Sequence, residues 1–424
     1  MLISLLFRLG DVGTVVLAVT SAAILCGLVA LAAGEMAKTY PSGAGIRTFS
    51  RQAFGETVSL FVTFTYLSVL FLVAGLESYL LSALLQITFP GVPAFLWLVV
   101  LFVGVMALNI RGVKLSAPVQ IIATLILVIG MLFFGALGWW QPQRLNFVDA
   151  FYSSSVVSLP LLASIGTAVF LFVGFEWIAP LGINRAAYQR KIPYAMCASI
   201  VVNCLAYLVF ILGFAVLVPR GDVADGSLAH LLYFVEMVGP NGALIALGFS
   251  VIAIFTTFNA GIMGGAQILY VLAREHRLPK VLTGINGRWG TPANAILALG
   301  FVAGLCAVIA IVFDTAALFM LTSSILFCLA YICITVSAIR LRAMRKIPAG
   351  DAFKLPTSVL YGAALAMTAI AAASLWELLS NDPKRGGLIL CIFFLAAILT
   401  AIFGDGPHPF RVKAAAPDLR GEQA

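Results

Sequence analysis

Two acidic residues sit where an acid is expensive. Glu77 falls in LVAGLESYLL (72–81) and Glu176 in FVGFEWIAP (172–180), both inside long apolar runs that contain no Lys or Arg to pair with them. A buried, unpaired carboxylate must hold a proton, accept several hydrogen bonds or meet a cation. An ionisable side chain at membrane depth is therefore a functional candidate by default. The chemistry on offer is proton binding or recognition of an ammonium group. Glu35 and Glu377 lie near the ends of such runs, where a carboxylate can snorkel to the interface. All seven cysteines lie in apolar runs without a C-x-x-C pair, and His230, His276 and His408 fall in loops or the tail. Neither a metal centre nor a disulfide framework is indicated. With no Walker A loop, H-E-x-x-H or G-x-S-x-G, nothing argues for an enzyme or a cofactor.

The elements that position these acids follow from composition. The chain has 424 residues, 62% hydrophobic and 10% charged, whereas soluble domains average about 45–50% apolar and about 25% charged. No soluble core hides that much apolar surface, so the solvent is a lipid bilayer. A soluble enzyme, a secreted disulfide scaffold and a disordered chain are excluded. So is a nucleic-acid binder, because the net charge of +8 is scattered between apolar runs and forms no basic face. A helical span needs about 20 apolar residues. Eleven runs qualify, near 12–37, 57–88, 93–110, 117–138, 159–183, 193–218, 240–273, 292–313, 315–340, 356–379 and 386–403. They are continuous and not alternating, which excludes a β-barrel. Pro118, Pro160, Pro193, Pro292 and Pro356 mark span starts, where a missing N–H costs nothing.

Threading these spans places 20 of the 25 lysines and arginines on one side and 5 on the other. By the positive-inside rule the C-terminus is cytoplasmic. The expected organisation is one transmembrane domain over 1–404 and a cytoplasmic tail over 405–424, in the inner (plasma) membrane. An odd span count then puts the N-terminus outside, although residues 1–11 carry no signal-peptide pattern. This predicts that one helix is missing from the front of the chain and that Met1 is an internal methionine.

Five stretches, in order, resemble the amino acid–polyamine–organocation (APC) superfamily of secondary transporters. They are PSGAGI with FSRQAFGE in the first loop (41–56), LNIRGVKLSAPVQ (108–120), FVGFEWIAP followed by KIPYAM (172–196), TTFNAGIMGGAQILYVLAREHRLPK (256–280) and GRWGTPANAI (287–296). The resemblance runs from about residue 11 to 404. It implies an all-α polytopic membrane protein built from two inverted five-helix repeats. Against the family's twelve helices, the first span here corresponds to the second. The family's sixth helix is broken at midplane, which implies that the backbone of Phe172, Val173, Gly174 and Phe175, together with Glu176, binds substrate. Exposed N–H and C=O groups at such a break suit the carboxylate and ammonium of an amino acid. Glu176 either caps the following half-helix or contacts substrate or proton. Phe172 and Phe175 either gate the site or pack. Glu77 is either a coupling residue or a protonated acid bonded across a helix interface. Thr256, Thr257 and Asn259 lie on the eighth family helix, where sodium-coupled relatives use hydroxyls. The alternative is back-bonding to the preceding turn. The spacings Gly261-x-x-x-Gly265 and Gly300-x-x-x-Gly304 read as helix-packing faces.

Two departures qualify the resemblance. Some proton-coupled members carry a lysine in the fifth helix, and the span 117–138 has none. Acids that often follow the sixth helix are replaced by Gly182, Ile183, Asn184 and Arg185. The resulting expectation is a secondary transporter of amino acids or related amines, leaning to neutral or apolar ones, working by alternating access with proton or sodium coupling or by exchange. Its partners are the small-molecule substrate and the lipid bilayer. The rival is a non-transporting receptor or assembly protein that keeps the fold.

Overall fold

The computed structural model describes residues 6, 11–40, 45–140, 159–177, 191–217, 229–347 and 355–403. Among these residues there is no strand. The helices are α1 (Val12–Thr39), α2 (Gly45–Phe54), α3 (Glu56–Thr88), α4 (Ala94–Ile110), α5 (Val113–Trp139), α6 (Leu159–Val169), α7 (Ile192–Leu217), α8 (Ala229–Val238), α9 (Gly242–Arg274), α10 (Ala293–Phe313), α11 (Ala316–Ala343), α12 (Thr357–Asn381) and α13 (Pro383–Phe403). Among the described residues, ten helical segments are long and apolar enough to cross a membrane, and α4 is a shorter eleventh apolar helix. At about 1.5 Å per residue, its 17 residues reach roughly 25 Å. The eleven expected spans therefore correspond to eleven helices, and the fold is that of an all-α polytopic membrane protein. The expected missing first helix, residues 1–5, the segment 178–190 and the tail 405–424 lie outside the described residues.

In lipid every backbone polar group must be satisfied within the protein, which is why the apolar runs are helical. Helix association there depends on close packing. The α5–α7 contact shows how close. A side-chain carbon on Gly135 would lie 2.8 Å from the Phe210 Cα, and one on Gly138 would lie 2.7 Å from the Gly213 carbonyl. Helices α3 and α11 form the buried centre, while α5 and α13 face outward. The two glycine spacings divide. Gly265 meets Leu70 and Leu299, and Gly300 meets Met106, as packing faces should. Gly261 faces the Trp177 ring first and Leu70 of α3 at the edge of contact, and Gly304 has nothing within 4 Å.

Two elements had no counterpart among the expected spans. The short helix α2, within the expected first loop, buries Ile46, Phe49 and Ala53 on one face. The other, α8, lies before α9 and packs Tyr233 and Phe234 among Phe210, Phe214 and Phe249. Glu35 also departs from expectation. It does not snorkel but is 3% exposed and pairs with Arg342 of α11, whose Nε lies 3.0 Å from Oε1. The physical reason is that α11 places a guanidinium beside it, so pairing replaces hydration.

Candidate functional site: a broken helix held by tyrosines

Helix α6 stops inside the bundle. It tightens into a 3-10 turn at Phe170–Phe172. Val173 is then extended (φ −61°, ψ 144°) and Gly174 takes φ +109°. That region is rarely adopted by residues with a side chain. A Cβ on Gly174 would also press the Trp177 ring at 3.3 Å. The glycine is therefore what permits the break. Broken turns leave carbonyls without helical partners. Here the Tyr207 hydroxyl of α7 donates to the Leu171 carbonyl at 3.0 Å, and the Trp177 N–H donates to the Gly174 carbonyl at 3.1 Å.

Glu176 sits at the centre of this break. Its Oε1 accepts the Tyr66 hydroxyl of α3 at 2.6 Å. Its Oε2 accepts the Gly174 N–H at 3.2 Å and the Tyr331 hydroxyl of α11 at 3.3 Å. The Trp177 indole N–H donates to the Tyr66 oxygen. Among the described residues no cation bonds to Glu176. Of the three ways to stabilise a buried carboxylate, the structure supplies hydrogen bonds. The acid holds its own loop and fastens it to α3 and α11. Phe172 lies edge-on to Tyr207 with ring centres 5.6 Å apart, and Phe175 lies 5.6 Å from Tyr331. Both phenylalanines are buried.

Glu77 occupies a separate site. It lies eleven residues beyond Tyr66 on the same helix, about 16 Å along the axis at 1.5 Å per residue. It is 8% exposed, and its Oε2 has no hydrogen-bond partner among the described residues. Thr257 lies beside its carboxyl, although the Thr257 hydroxyl also donates back to the Ala253 carbonyl at 3.1 Å. Thr257 and Glu77 are thus brought together. Thr256 and Asn259 are not part of that contact. Thr256 donates back to the Ala253 carbonyl at 2.7 Å. Asn259 is fully buried and bonds Gln120 of α5 at 2.8 Å and Asn109 of α4 at 2.9 Å, an amide cluster that joins three helices.

Tyr66, Tyr207, Tyr331 and Trp177 were not among the sequence candidates. Their signal was present but weak: a hydroxyl or indole N–H at apolar depth needs a partner. Two hollows adjoin the break. One, of about 430 Å³ counting its open mouth, runs from Glu176, Tyr66 and Trp177 to Phe49 of α2 and Met196 of α7. The other, of about 370 Å³ on the same measure, is lined by Leu70, Phe71, Phe102, Trp177, Thr257 and Ala303, among others. Below the first hollow α2 is tied down by charge. Arg47 bonds Glu275 at the C-terminal cap of α9, Glu56 at 2.5 Å and Ser59, while Arg51 reaches both acids and Arg277 reaches Glu56.

The described residues thus form a polytopic bundle in which one apolar helix stops at a break built around the buried Glu176. Comparison with known families then gives the assignment: residues 1–404 match the amino acid permease family, to which this chain belongs. Similar proteins include the low-affinity putrescine importer PlaP of Escherichia coli K12, 25% identical over 65% of this chain and 62% of that protein. The human cystine/glutamate transporter is 24% identical over 68% of this chain and 60% of its own length. The aromatic amino acid transport protein AroP of Escherichia coli K12 is 24% identical over 70% and 66%. The chain thus spans less than two thirds of the length of each of these relatives.

Proposed function

We propose that this protein is a secondary active transporter of amino acids or related amines, working by alternating access in the plasma membrane with its C-terminus cytoplasmic. The observation that carries this reading is the break at 170–177: extended backbone and a left-handed glycine within the apolar segment Pro160–Trp177. Backbone of this kind is tolerated at depth only where it is buried in protein or lines a cavity. Family membership and relatives named as a putrescine importer and an aromatic amino acid transport protein support the same reading. The backbone at 172–175 would hold the charged ends of the substrate, with Glu176 fixing the shape of that backbone. Glu77 with Thr257 would take the coupling proton or cation, because its Oε2 has no partner among the described residues. The domain would end near residue 404, with 405–424 as a tail.

The test is reconstitution into proteoliposomes and counterflow of labelled amino acids and diamines, with and without a proton gradient. Exchange of at least one compound is expected. No flux across a panel covering neutral, aromatic, acidic and basic amino acids and putrescine would sink the reading, and would favour a non-transporting membrane protein.

A further inference from the structure

The two hollows beside the break share one lining residue, Trp177. Its indole is buried, 9% exposed, and is pinned at one edge by the bond from Nε1 to Tyr66. Its face lies along a glycine step on α9. A Cβ on Gly261 would stand 3.5 Å from the ring Cη2, and one on Gly264 would stand 3.4 Å from Cγ. Residues three apart on a helix share a face, so this pair makes a slot fitted to a flat ring. The chemistry differs on the two sides of the ring. The hollow toward α2 carries the Glu176 carboxylate and the Tyr66 phenol. The hollow toward α4 and α10 is apolar apart from the Thr257 hydroxyl, and no carboxylate lines it among the described residues.

We infer that Trp177 is the specificity-determining residue of the site, and that the apolar hollow behind it receives the apolar side chain of a monoamino acid. This rests on the transport reading above and narrows its substrate class. A substrate held by its charged end at the break extends its side chain past the indole. An aliphatic or aromatic side chain gains by leaving water for Leu70, Phe71 and Ala303. The second ammonium of a diamine would be buried there against the Thr257 hydroxyl, with the Glu77 carboxyl behind that hydroxyl and outside the lining, and a buried ammonium without a direct carboxylate partner costs several kcal/mol. The indole edge limits the side-chain size that passes.

The experiment is counterflow competition in proteoliposomes by alanine, leucine, phenylalanine and putrescine against wild type and three variants. In wild type, leucine or phenylalanine should compete better than putrescine. Ala303→Leu fills the hollow and leaves Trp177 untouched, so leucine and phenylalanine should lose about tenfold relative to alanine, the effect of a methylene or two in an apolar pocket. Trp177→Ala should shift the ranking toward phenylalanine by a similar factor. Trp177→Phe keeps a ring without the Nε1 bond, and should give an intermediate shift if Trp177→Ala does not fold. Transport with an unchanged ranking in Ala303→Leu, or putrescine as the best wild-type competitor, overturns this inference alone. Absence of any transport in wild type overturns it together with the reading beneath it.

Discussion

Arg47 and Arg51 sit one helical turn apart on α2 and touch the same two acids, yet their removal should cost very different amounts. The Arg47 side chain is 2% exposed, and it bonds Glu275, Glu56 and the Ser59 hydroxyl. The Arg51 side chain is 50% exposed. Removing one partner from a buried pair typically costs about 3–5 kcal/mol, since it leaves the other charge buried and uncompensated. Here Glu56 and Glu275 keep 17% and 30% of their side chains in contact with solvent; Arg51 remains bonded to both and Arg277 to Glu56. Arg47→Ala should therefore fall at the low end, about 3 kcal/mol. Arg51→Ala should cost about 1 kcal/mol or less, the range of exposed pairs. Arg47→Lys should lie between, because one ammonium nitrogen cannot span acceptors that the guanidinium reaches through three separate nitrogens. Equilibrium unfolding in mixed micelles, titrated with SDS and followed by tryptophan fluorescence, measures all three. Equal losses for Arg47→Ala and Arg51→Ala would refute the assignment of α2 as a helix anchored by one buried guanidinium.

Three further outcomes follow from the same geometry. Glu176→Gln replaces one acceptor oxygen by an NH2 that faces donors, so the fold should lose about 1–3 kcal/mol, the cost of an unsatisfied buried group; an unchanged unfolding midpoint would count against the hydrogen-bond pattern at the break. If Glu77 carries the coupling proton, Glu77→Gln should flatten the pH dependence of counterflow while leaving exchange intact, and a wild-type pH profile would remove Glu77 from that role. Gly135→Val should prevent α5 from seating on α7, since even its first side-chain carbon meets the Phe210 Cα at 2.8 Å; detergent-soluble, monodisperse protein at wild-type yield would contradict the contact.

The helices were legible because lipid leaves the chain little choice: a long apolar run must satisfy its own backbone, and 12–37 or 292–313 can do so only as a helix. The break was legible for a different reason. The resemblance to a family whose sixth helix is broken pointed to this position, and Gly174, two residues before Glu176, is a residue that tolerates unwinding. What was not legible depends on partners far apart in sequence. Tyr66 and Tyr331 meet Glu176 across separations of 110 and 155 residues, and nothing in their neighbours announces it. The pairing of Glu35 with Arg342, 307 residues apart, is hidden for the same reason. Asn259 looked equivalent to Thr257 because both lie on one helix in one motif. Their separation by two residues turns them to different faces, one toward Glu77 and one toward the amides of Asn109 and Gln120.

The bonds around Glu176 all point one way. The indole donates to the phenol of Tyr66, that phenol donates to the acid, and the Gly174 N–H and Tyr331 also donate to it. Such a set suits an ion and has no place for an acidic hydrogen. Were the carboxyl to become neutral, its new O–H would need an acceptor. An amide N–H cannot serve, and Tyr66 is already receiving the indole. Tyr331 is the member of the set that can rotate its hydroxyl and accept without displacing another donor. A change of charge on the broken helix would thus be felt first on α11 and not on α3, which gives the site a built-in direction of response.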